Sequence, residues 1–323
     1  MMANIVRESS IDINDNTDID SMINSIVEET VNHIINNINT EDTNSDSTQE
    51  ISNDEQSVDI ENTQVESKEL NETEQKINQL EADKKELLVN ESTIRFSSAE
   101  WFQSVENQTV MLAGLGGIGS WTALFLSRLN LNSLCLIDYD KIDRLNLAGQ
   151  FYRTSDVDRP KVFALRDRLQ NYSNYYKTIC LNRRVDYSDF CKIMICGFDN
   201  MDARKSYFLN WMKGISNLDE DAKKKCLFID GRVSAEELQI FCITGDDEYN
   251  IKRYTKEFLF DDSESESVVC SYKQTTFMAS MIASLITNLF VNFVSNLSNP
   301  TIERDLPFFT YYDAHFMYFK TEK

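Results

Sequence analysis

Short apolar runs alternate with helical patterns through the second part of the chain. Residues 109–113 and 134–137 are apolar throughout, as expected for buried parallel strands, and residues 120–129 between them have helical spacing. A third apolar run covers residues 193–196, and residues 226–244 contain two more strand-like segments around a glycine. This alternation predicts an α/β fold with a Rossmann-like, mostly parallel sheet and helices on both faces.

The pattern changes towards the C-terminus. We expect antiparallel strands after about residue 228, including late strands in FFTYYDAHFMYFK, where His315 is interpreted as a packed strand residue. Residues 274–302 carry no charge and are long enough to span a bilayer. They also carry a polar stripe at a spacing of four residues, formed by Asn288, Asn292 and Asn296. The stripe favours a buried or dimer-facing helix over a membrane span.

The first part of the chain has a different composition. We interpret residues 1–92 as an acidic arm, largely disordered with short helices, and residues 93–323 as the globular domain. Apolar residues at helical spacing within 21–38 and 66–89 predict two helices, which need a surface to pack on. Residues 1–95 hold 23 acidic and 6 basic residues, and every Phe, Tyr and Trp follows them.

Charge and cysteine content restrict the classes of function. The net charge is −21, which argues against nucleic-acid binding because phosphate recognition needs a basic surface. The seven cysteines show no paired spacing and no secretory signal precedes them, so we expect reduced thiols and a cytoplasmic location. With no C-x-x-C pair and only two histidines, no zinc site is expected.

A glycine-rich turn joins the first strand to its helix. Between strand and helix the sequence is GLGGIGS, in which the predicted ligand-binding residues are Gly114, Gly116, Gly117, Gly119 and Ser120. Such glycines let the backbone approach a phosphate, and the helix N-terminus supplies N–H groups and a positive dipole end. Asp138, 19 residues past the last glycine, would accept from ribose hydroxyls. These features predict a nucleotide site but leave NAD and ATP both open.

Two further charged residues favour a triphosphate. Lys161 follows Arg159-Pro160 at a helix start, where a cation can reach β- and γ-phosphates, and NAD has no γ-phosphate. Asp199 follows the third apolar strand, at the carboxyl end where open α/β sheets bind ligands, and could hold Mg²⁺.

These motifs occur in an order that resembles the ThiF/MoeB/HesA superfamily of ubiquitin-activating-enzyme-like adenylyltransferases, over roughly residues 93–320. GLGGIGS resembles the family's ATP loop, and IDYDKIDRLNLAGQ resembles its acid-x-acid motif followed by an Asn-Leu-x-Arg-Gln segment. RPKV resembles the segment that carries its phosphate-contacting lysine. FDN together with Arg204 resembles its Asp-Asn-x-x-x-Arg element. The resemblance implies adenylation, with ATP, of the C-terminal carboxylate of a small ubiquitin-like or sulfur-carrier protein, by a homodimer. Neither nucleic acid nor membrane is an expected partner.

The resemblance also implies roles for individual residues. Asp138, within the Asp138–Asp140 pair, would bind the ribose, and Lys161 and Gln150 would contact the phosphates. Asn146 would orient them, Asp199 would bind Mg²⁺, and Arg204 would hold the Asp199 loop. Cys270 lies where some members of the family carry a transfer cysteine, so it is a candidate nucleophile and also, in the simpler interpretation, an ordinary small residue.

One departure leaves alternatives open. Gly149 stands where the family usually has an arginine before the loop glutamine, so one cation is missing where charge develops, although Arg153 could replace it. The chain is then either an active adenylyltransferase or a catalytically silent, nucleotide-binding partner subunit. A nicotinamide-dependent Rossmann protein is the third interpretation, and it leaves Lys161 and Asp199 unexplained.

Overall fold

Strands and helices alternate along the chain. The computed structural model describes residues 75–80, 82–83, 92–260 and 274–323, and Ser92–Lys323 form one compact unit. The strands are β1 (Thr109–Ala113), β2 (Ser133–Ile137), β3 (Thr178–Leu181), β4 (Ile193–Cys196), β5 (Leu227–Val233), β6 (Glu237–Thr244), β7 (Phe309–Asp313) and β8 (Tyr318–Glu322). The helices are α1 (Phe102–Glu106), α2 (Gly117–Arg128), α3 (Lys161–Ser173), α4 (Met201–Ile215), α5 (Glu220–Lys223), α6 (Glu248–Arg253) and α7 (Thr276–Ser298).

The eight strands form one sheet in the order β3-β2-β1-β4-β5-β6-β7-β8. Pairing is parallel from β3 to β5 and antiparallel from β5 to β8. The predicted fold class, a mostly parallel sheet with late antiparallel strands, is therefore confirmed, and the change comes between Val233 and Glu237. From β1 the chain proceeds first to β2 and β3 on one side and later to β4 and β5 on the other. The carboxyl ends of β1 and β4 thus form a topological switch point, where α/β sheets bind ligands.

Alternate strand residues fill two separate cores. Because successive side chains of a strand point to opposite faces, Val110 and Leu112 join the core beneath α2, α3 and α7. Met111 and Ala113 join the core on the other face, with Tyr207, Phe208 and Trp211 of α4. Helices thus cover both faces, and the central strands are apolar throughout because neither face meets water.

Helix α7 packs against the rest of the domain along one side. It is long and apolar enough to cross a membrane by length and composition alone, but it packs on α2, β5 and β6. Eleven of its residues are buried, on the side that faces these elements. Asn292 and Asn296, in the polar stripe, donate to the backbone carbonyls of Asp305 and Arg304 at 3.0 and 2.9 Å. The prediction of a buried helix is confirmed, and the stripe anchors the segment that leads to β7.

Three expectations have other outcomes. His315 lies in the exposed turn between β7 and β8, so its interpretation as a packed strand residue is wrong. The predicted helix over 21–38 lies outside the described residues. Within the predicted helix over 66–89, residues 75–80 and 82–83 are helical, and the rest lies outside the described part of the chain.

Candidate nucleotide site

The glycine turn after β1 is shaped by close backbone packing. Gly114 has φ +81°, which L side chains rarely adopt, and a Cβ on it would lie 2.7 Å from Gly197 C and Phe198 N. A Cβ on Gly119 would overlap the carbonyl oxygen of Gly114. These two glycines let the turn close on itself and let the segment after β4 pack against it. By contrast, a Cβ on Gly116 would meet only Gln150 Nε2, at an ordinary 3.7 Å.

This division of the glycines predicts different effects of alanine. We expect Gly119→Ala to lower the free energy of unfolding by about 1–3 kcal/mol, because backbone must shift to admit the methyl group. Gly116→Ala, the matched control, has room for its methyl group and should cost less, about 0.5–1 kcal/mol, which is the preference for glycine over alanine at an N-cap. Denaturant unfolding of both variants measures the difference, and equal stabilities would contradict it.

Asp138 and Lys161 form the wall of the site on the β2 side. Asp138 is buried, and its carboxylate accepts from the backbone N–H of Leu115 in the glycine turn and of Asp140, both at 2.7 Å. Lys161, the first residue of α3, is 6% exposed. Its Nζ donates to Asp140 Oδ2 at 3.0 Å and lies 3.9 Å from Asp138 Oδ2. Asp138 therefore links Lys161 to the glycine turn, because its carboxylate contacts both Leu115 N and the Lys161 ammonium.

The carboxyl of Asp138 has a perturbed pKa. Burial raises the pKa of Asp138 above its ordinary value, and the Lys161 ammonium and the two N–H donors reduce the shift without cancelling it. The nearby ammonium is thus the main charge that favours the ionised form of this carboxyl.

The Asp199 loop forms the opposite wall, after β4. Gly197 N donates to Ala113 O at 2.8 Å, so the loop starts directly beside the glycine turn. Asp199 itself is exposed, and Asn200 caps α4 by accepting from Ala203 N at 2.9 Å. Lys161, the predicted phosphate contact, thus follows β2, and Asp199, the predicted magnesium ligand, follows β4. Both strands are neighbours of β1, so the two residues come at the same edge of the sheet.

Arg204 holds this loop from within the protein. Its guanidinium donates to the carbonyl of Phe198 and to the Asp230 carboxylate, and also to Gly231 O at 3.0 Å. This contact with Phe198 ties Arg204 to the loop, and its role at a nucleotide site stays a prediction of the resemblance. Because Arg204 is 6% exposed, it reaches the site through the loop backbone rather than through its own side chain.

Asp230 is the centre of a buried charge cluster that the sequence patterns did not reveal. It is fully buried, and besides Arg204 it accepts from Arg232 Nε at 2.8 Å and from the Tyr254 hydroxyl at 2.9 Å. Burial alone would raise the pKa of Asp230, but Arg204 and Arg232 outweigh burial and hold it below its ordinary value. The cluster joins the Asp199 loop to Phe258 O, which accepts from Arg232 at 2.9 Å.

The loop after β2 carries Asn146 and Gln150, and it brings the Gln150 side chain to Gly116 in the turn. Asn146 Oδ1 accepts from Asp143 N at 3.0 Å and so caps a short 3-10 helix, Arg144–Ala148. Gln150 Oε1 is buried and has no hydrogen-bond partner among the described residues. Ser120 is fully buried, and its hydroxyl accepts from Phe151 N at 2.9 Å. Ser120 thus ties α2 to the loop, and the Gln150 side-chain amide lies beside Gly116.

Gly149 and Arg153 occupy distinct surroundings. Gly149 is buried, and its carbonyl accepts from Trp121 Nε1 at 3.0 Å. The Arg153 guanidinium lies over the Tyr172 ring, 5.3 Å from its centroid. Arg153 also lines a cavity of about 290 Å³ with Ser155, Asp156, Arg159, Asp167, Arg168 and Asn171. These contacts tie Arg153 to α3 and leave its predicted role as a substitute cation without support.

Gln274 is a residue of the site that sequence reasoning missed. A Cβ on Gly117 would coincide with the Gln274 amide, and a Cβ on Gly149 would lie 3.1 Å from Gln274 Cγ. No motif spacing points to Gln274, which follows Gly117 by 157 positions. Its place becomes visible only when α7 packs on α2.

The described cysteines are poor nucleophiles. Burial raises the pKa of each of the six described cysteines, to about 11 for Cys135 and Cys226. All six are free thiols. Cys270, the candidate transfer cysteine, lies outside the described residues.

A metal ion would have few protein ligands here. Within residues 92–260 and 274–323 no group of three or more His, Cys, Asp or Glu side chains could hold one. Asp199 is a single exposed carboxylate, which suits Mg²⁺ carried in by phosphate oxygens and waters rather than a protein cage. A Mg-nucleotide therefore fits the residues present.

The comparison with known families decides the classification. A model of the ThiF family matches residues 90–323, well over half of the chain. The chain belongs to the ThiF family. The resemblance noted from the sequence motifs is thereby confirmed.

Curated relatives of this ThiF family member match only in part. Ubiquitin-like modifier-activating enzyme 5 of Caenorhabditis briggsae is 37% identical over 68 residues, 21% of this chain and 16% of that protein. The protein of the same name from Drosophila persimilis is 26% identical over 150 residues, 38% of this chain and 39% of that protein. The chain thus spans less than half the length of these relatives.

Solved structures share the fold. PaaA has a TM-score of 0.53 at 17% identity, with 73% of this chain and 82% of that chain covered. E. coli MccB, solved with AMPCPP and MccA, has a TM-score of 0.50 at 14% identity, with 69% and 66% covered. At such identities the likeness is one of fold.

Proposed function

We propose that this ThiF family member is an adenylyltransferase that uses ATP to activate the C-terminal carboxylate of a small ubiquitin-like or sulfur-carrier protein. The observation that carries the proposal is the convergence of Lys161, Asp138 and the Asp199 loop on one glycine turn at the switch point of the sheet. Family membership and relatives named ubiquitin-like modifier-activating enzyme support the reaction class. A homodimer and a cytoplasmic location belong to the proposal as well.

The residues at the turn fit a nucleoside triphosphate. The first-turn N–H groups of α2 and its dipole favour a phosphate, and Gly116 leaves room for its approach. Lys161 supplies the charge on one side, and on the other the Gln150 Nε2 group beside Gly116 could donate to a phosphate oxygen. Asp138 holds the turn through Leu115 N and retains acceptor capacity for ribose hydroxyls.

In the proposed reaction the substrate's carboxylate oxygen forms a bond to the α-phosphorus of ATP. The bond from that phosphorus to the bridging oxygen breaks, and pyrophosphate leaves with the electron pair. The chain's contribution is positioning and charge stabilisation, because such transfers need little covalent chemistry from the protein. Lys161 would stabilise negative charge on the phosphates. Arg204 would hold the Asp199 loop in position through its hydrogen bond to Phe198 O. Mg²⁺, when bound, would neutralise part of the phosphate charge.

A second function is favoured by one observation. Gly149 provides no cation at the turn, and the space beside it is taken by the uncharged Gln274. The chain could therefore bind nucleotide as the silent subunit of a pair and leave the chemistry to a partner of the same family.

The test is ATP–pyrophosphate exchange by the full chain, with and without small proteins that end in Gly-Gly. We expect exchange that such a protein stimulates. We expect Asp199→Asn to lower its rate by about 10²–10³-fold, because the carboxylate that would hold Mg²⁺ beside the phosphates is lost.

Asp202→Asn is the matched control, since Asp202 is another exposed aspartate three residues further along, in the first turn of α4. Unchanged exchange in Asp199→Asn would refute the role of Asp199. ATP binding without exchange would favour the silent subunit, and NAD binding that ATP does not displace would favour the nicotinamide interpretation.

A further inference from the structure

The Gln274 side chain covers the start of α2. Gly117 is the first residue of that helix, and a Cβ there would coincide with the Gln274 amide. The first-turn N–H groups of a helix are the ones that have no partner within the helix and that bind phosphate. The amide therefore lies against the first turn of α2, next to the residues that carry these N–H groups.

Two glycines of the site are accounted for by this one side chain. Gly117 lies under the Gln274 amide, and Gly149 lies beside its Cγ. The other close approaches are of a different kind, because Gly114 and Gly119 meet backbone. The space that the missing side chains of Gly117 and Gly149 leave is thus filled by Gln274 in this structure and is not free for a ligand.

The backbone around Gln274 is anchored, whereas within the described part of the chain its amide is not. The next residue, Thr275, donates its hydroxyl to Ala235 O at 3.0 Å and caps α7, and the hydroxyl of Thr276 donates to Ala148 O. Gln274 is half-buried, and its amide forms no hydrogen bond to any of the described residues. Side-chain rotation alone could therefore clear the turn, without movement of α7.

We propose that the Gln274 amide occupies the phosphate position at the N-terminus of α2 and that a bound nucleotide displaces it, so that Gln274 sets the affinity of the site. This inference rests on the proposed function, because it takes the phosphate of ATP as the competing group. If the uncovered conformation is about a tenth of the population, the apparent Kd for ATP is about tenfold weaker than the intrinsic value.

Two substitutions at Gln274 should act in opposite directions. Gln274→Ala removes the covering group, so ATP should bind about tenfold more tightly in calorimetric titration of the full chain. Gln274→Glu is isosteric and places a carboxylate at the positive end of α2. It should raise the midpoint of thermal unfolding by about 1–3 °C and weaken ATP binding by about tenfold or more. Gln170→Ala, at a half-buried glutamine of α3, is the control and should leave the Kd unchanged.

The outcomes separate this inference from the proposed function. Weaker ATP binding by Gln274→Ala would make the amide a phosphate donor and overturn the inference, and so would an unchanged Kd in both variants. ATP binding by Gln274→Ala but not by the wild-type chain would support it. Absence of ATP binding in every variant would overturn the proposed function.

A measurement without nucleotide tests whether Gln274 packs on Gly117. If Gln274 covers Gly117, Gly117→Ala should lower the midpoint of thermal unfolding in the wild-type chain but not in the Gln274→Ala background. An equal effect in both backgrounds would overturn the inference, whatever the chain binds.

Discussion

Asp230→Asn is expected to lower the free energy of unfolding by about 3–5 kcal/mol, because it leaves two buried guanidinium groups without their carboxylate. Asp230 is fully buried between Arg204 and Arg232, whose side chains are 8% and 15% exposed. The substitution preserves the shape of the side chain, so the loss measures charge rather than a cavity. Equilibrium unfolding in urea, monitored by circular dichroism, measures it.

Asp221→Asn is the control for this prediction. Asp221 also pairs with a cation, Lys224, at 3.0 Å, but its side chain is 88% exposed. Exposed pairs contribute little, so we expect a change within about 0.5 kcal/mol. In a double-mutant cycle, Asp230→Asn and Arg204→Met together should cost less than the sum of the two single changes. Additive costs would show that the two side chains do not stabilise each other.

The pH dependence of stability gives a second readout for Asp230. Its pKa in the folded chain lies below the ordinary value of 3.8. A depressed carboxyl pKa contributes stability that is present above the unfolded pKa and lost as pH falls through the folded pKa. The wild-type chain should therefore lose stability on acidification below about pH 4, and Asp230→Asn should lack that part of the loss. A parallel loss in both proteins would contradict the assignment.

The central sheet could be predicted from the sequence because burial on both faces makes a strand apolar throughout. β1, β2 and β4 carry this pattern, and their bounds agree with the predicted runs except that β2 begins one residue earlier, at Ser133. β3 was not predicted. It lies at the edge of the sheet and Ile179 is 53% exposed, so it lacks the burial on both faces that marks the equally short β4.

The candidate site could be predicted only where local motifs carry it. The glycine turn, Asp138, Lys161 and Asp199 each follow a strand or start a helix, so sequence position alone placed them at one edge of the sheet. Asp230 lies within an apolar strand and Gln274 beside an apolar helix, and neither stands in a motif. Their positions depend on which elements pack together, and tertiary contacts of that kind leave no local spacing in the sequence.

Lys161→Met is expected to lower the rate of ATP–pyrophosphate exchange by about 10²–10³-fold, because it removes the buried cation beside Asp138 while it keeps much of the side-chain length. Lys161 Nζ reaches the turn through Asp138, which itself accepts from Leu115 N. Lys161→Arg keeps the charge in a different geometry and should restore part of the rate.

Lys224→Met is the matched control for the loss of one positive charge. Lys224 precedes β5, at the amino end of a parallel strand and hence at the edge of the sheet opposite the site, and its side chain is 57% exposed. We expect no change in exchange rate. Equal rates in Lys161→Met and the wild-type chain would remove Lys161 from the phosphate site.

The same variant should also show a change in pH dependence that does not require activity. Burial already raises the pKa of Asp138, and Lys161 is the leading group that opposes the shift. Without the ammonium this pKa rises further, and a raised carboxyl pKa contributes stability that is lost as pH rises through it. Lys161→Met should therefore lose more stability than the wild-type chain between about pH 4 and neutrality. An identical dependence of stability on pH in the two proteins would mean that Lys161 does not interact with Asp138. That result would contradict the assignment of both residues to one side of the site.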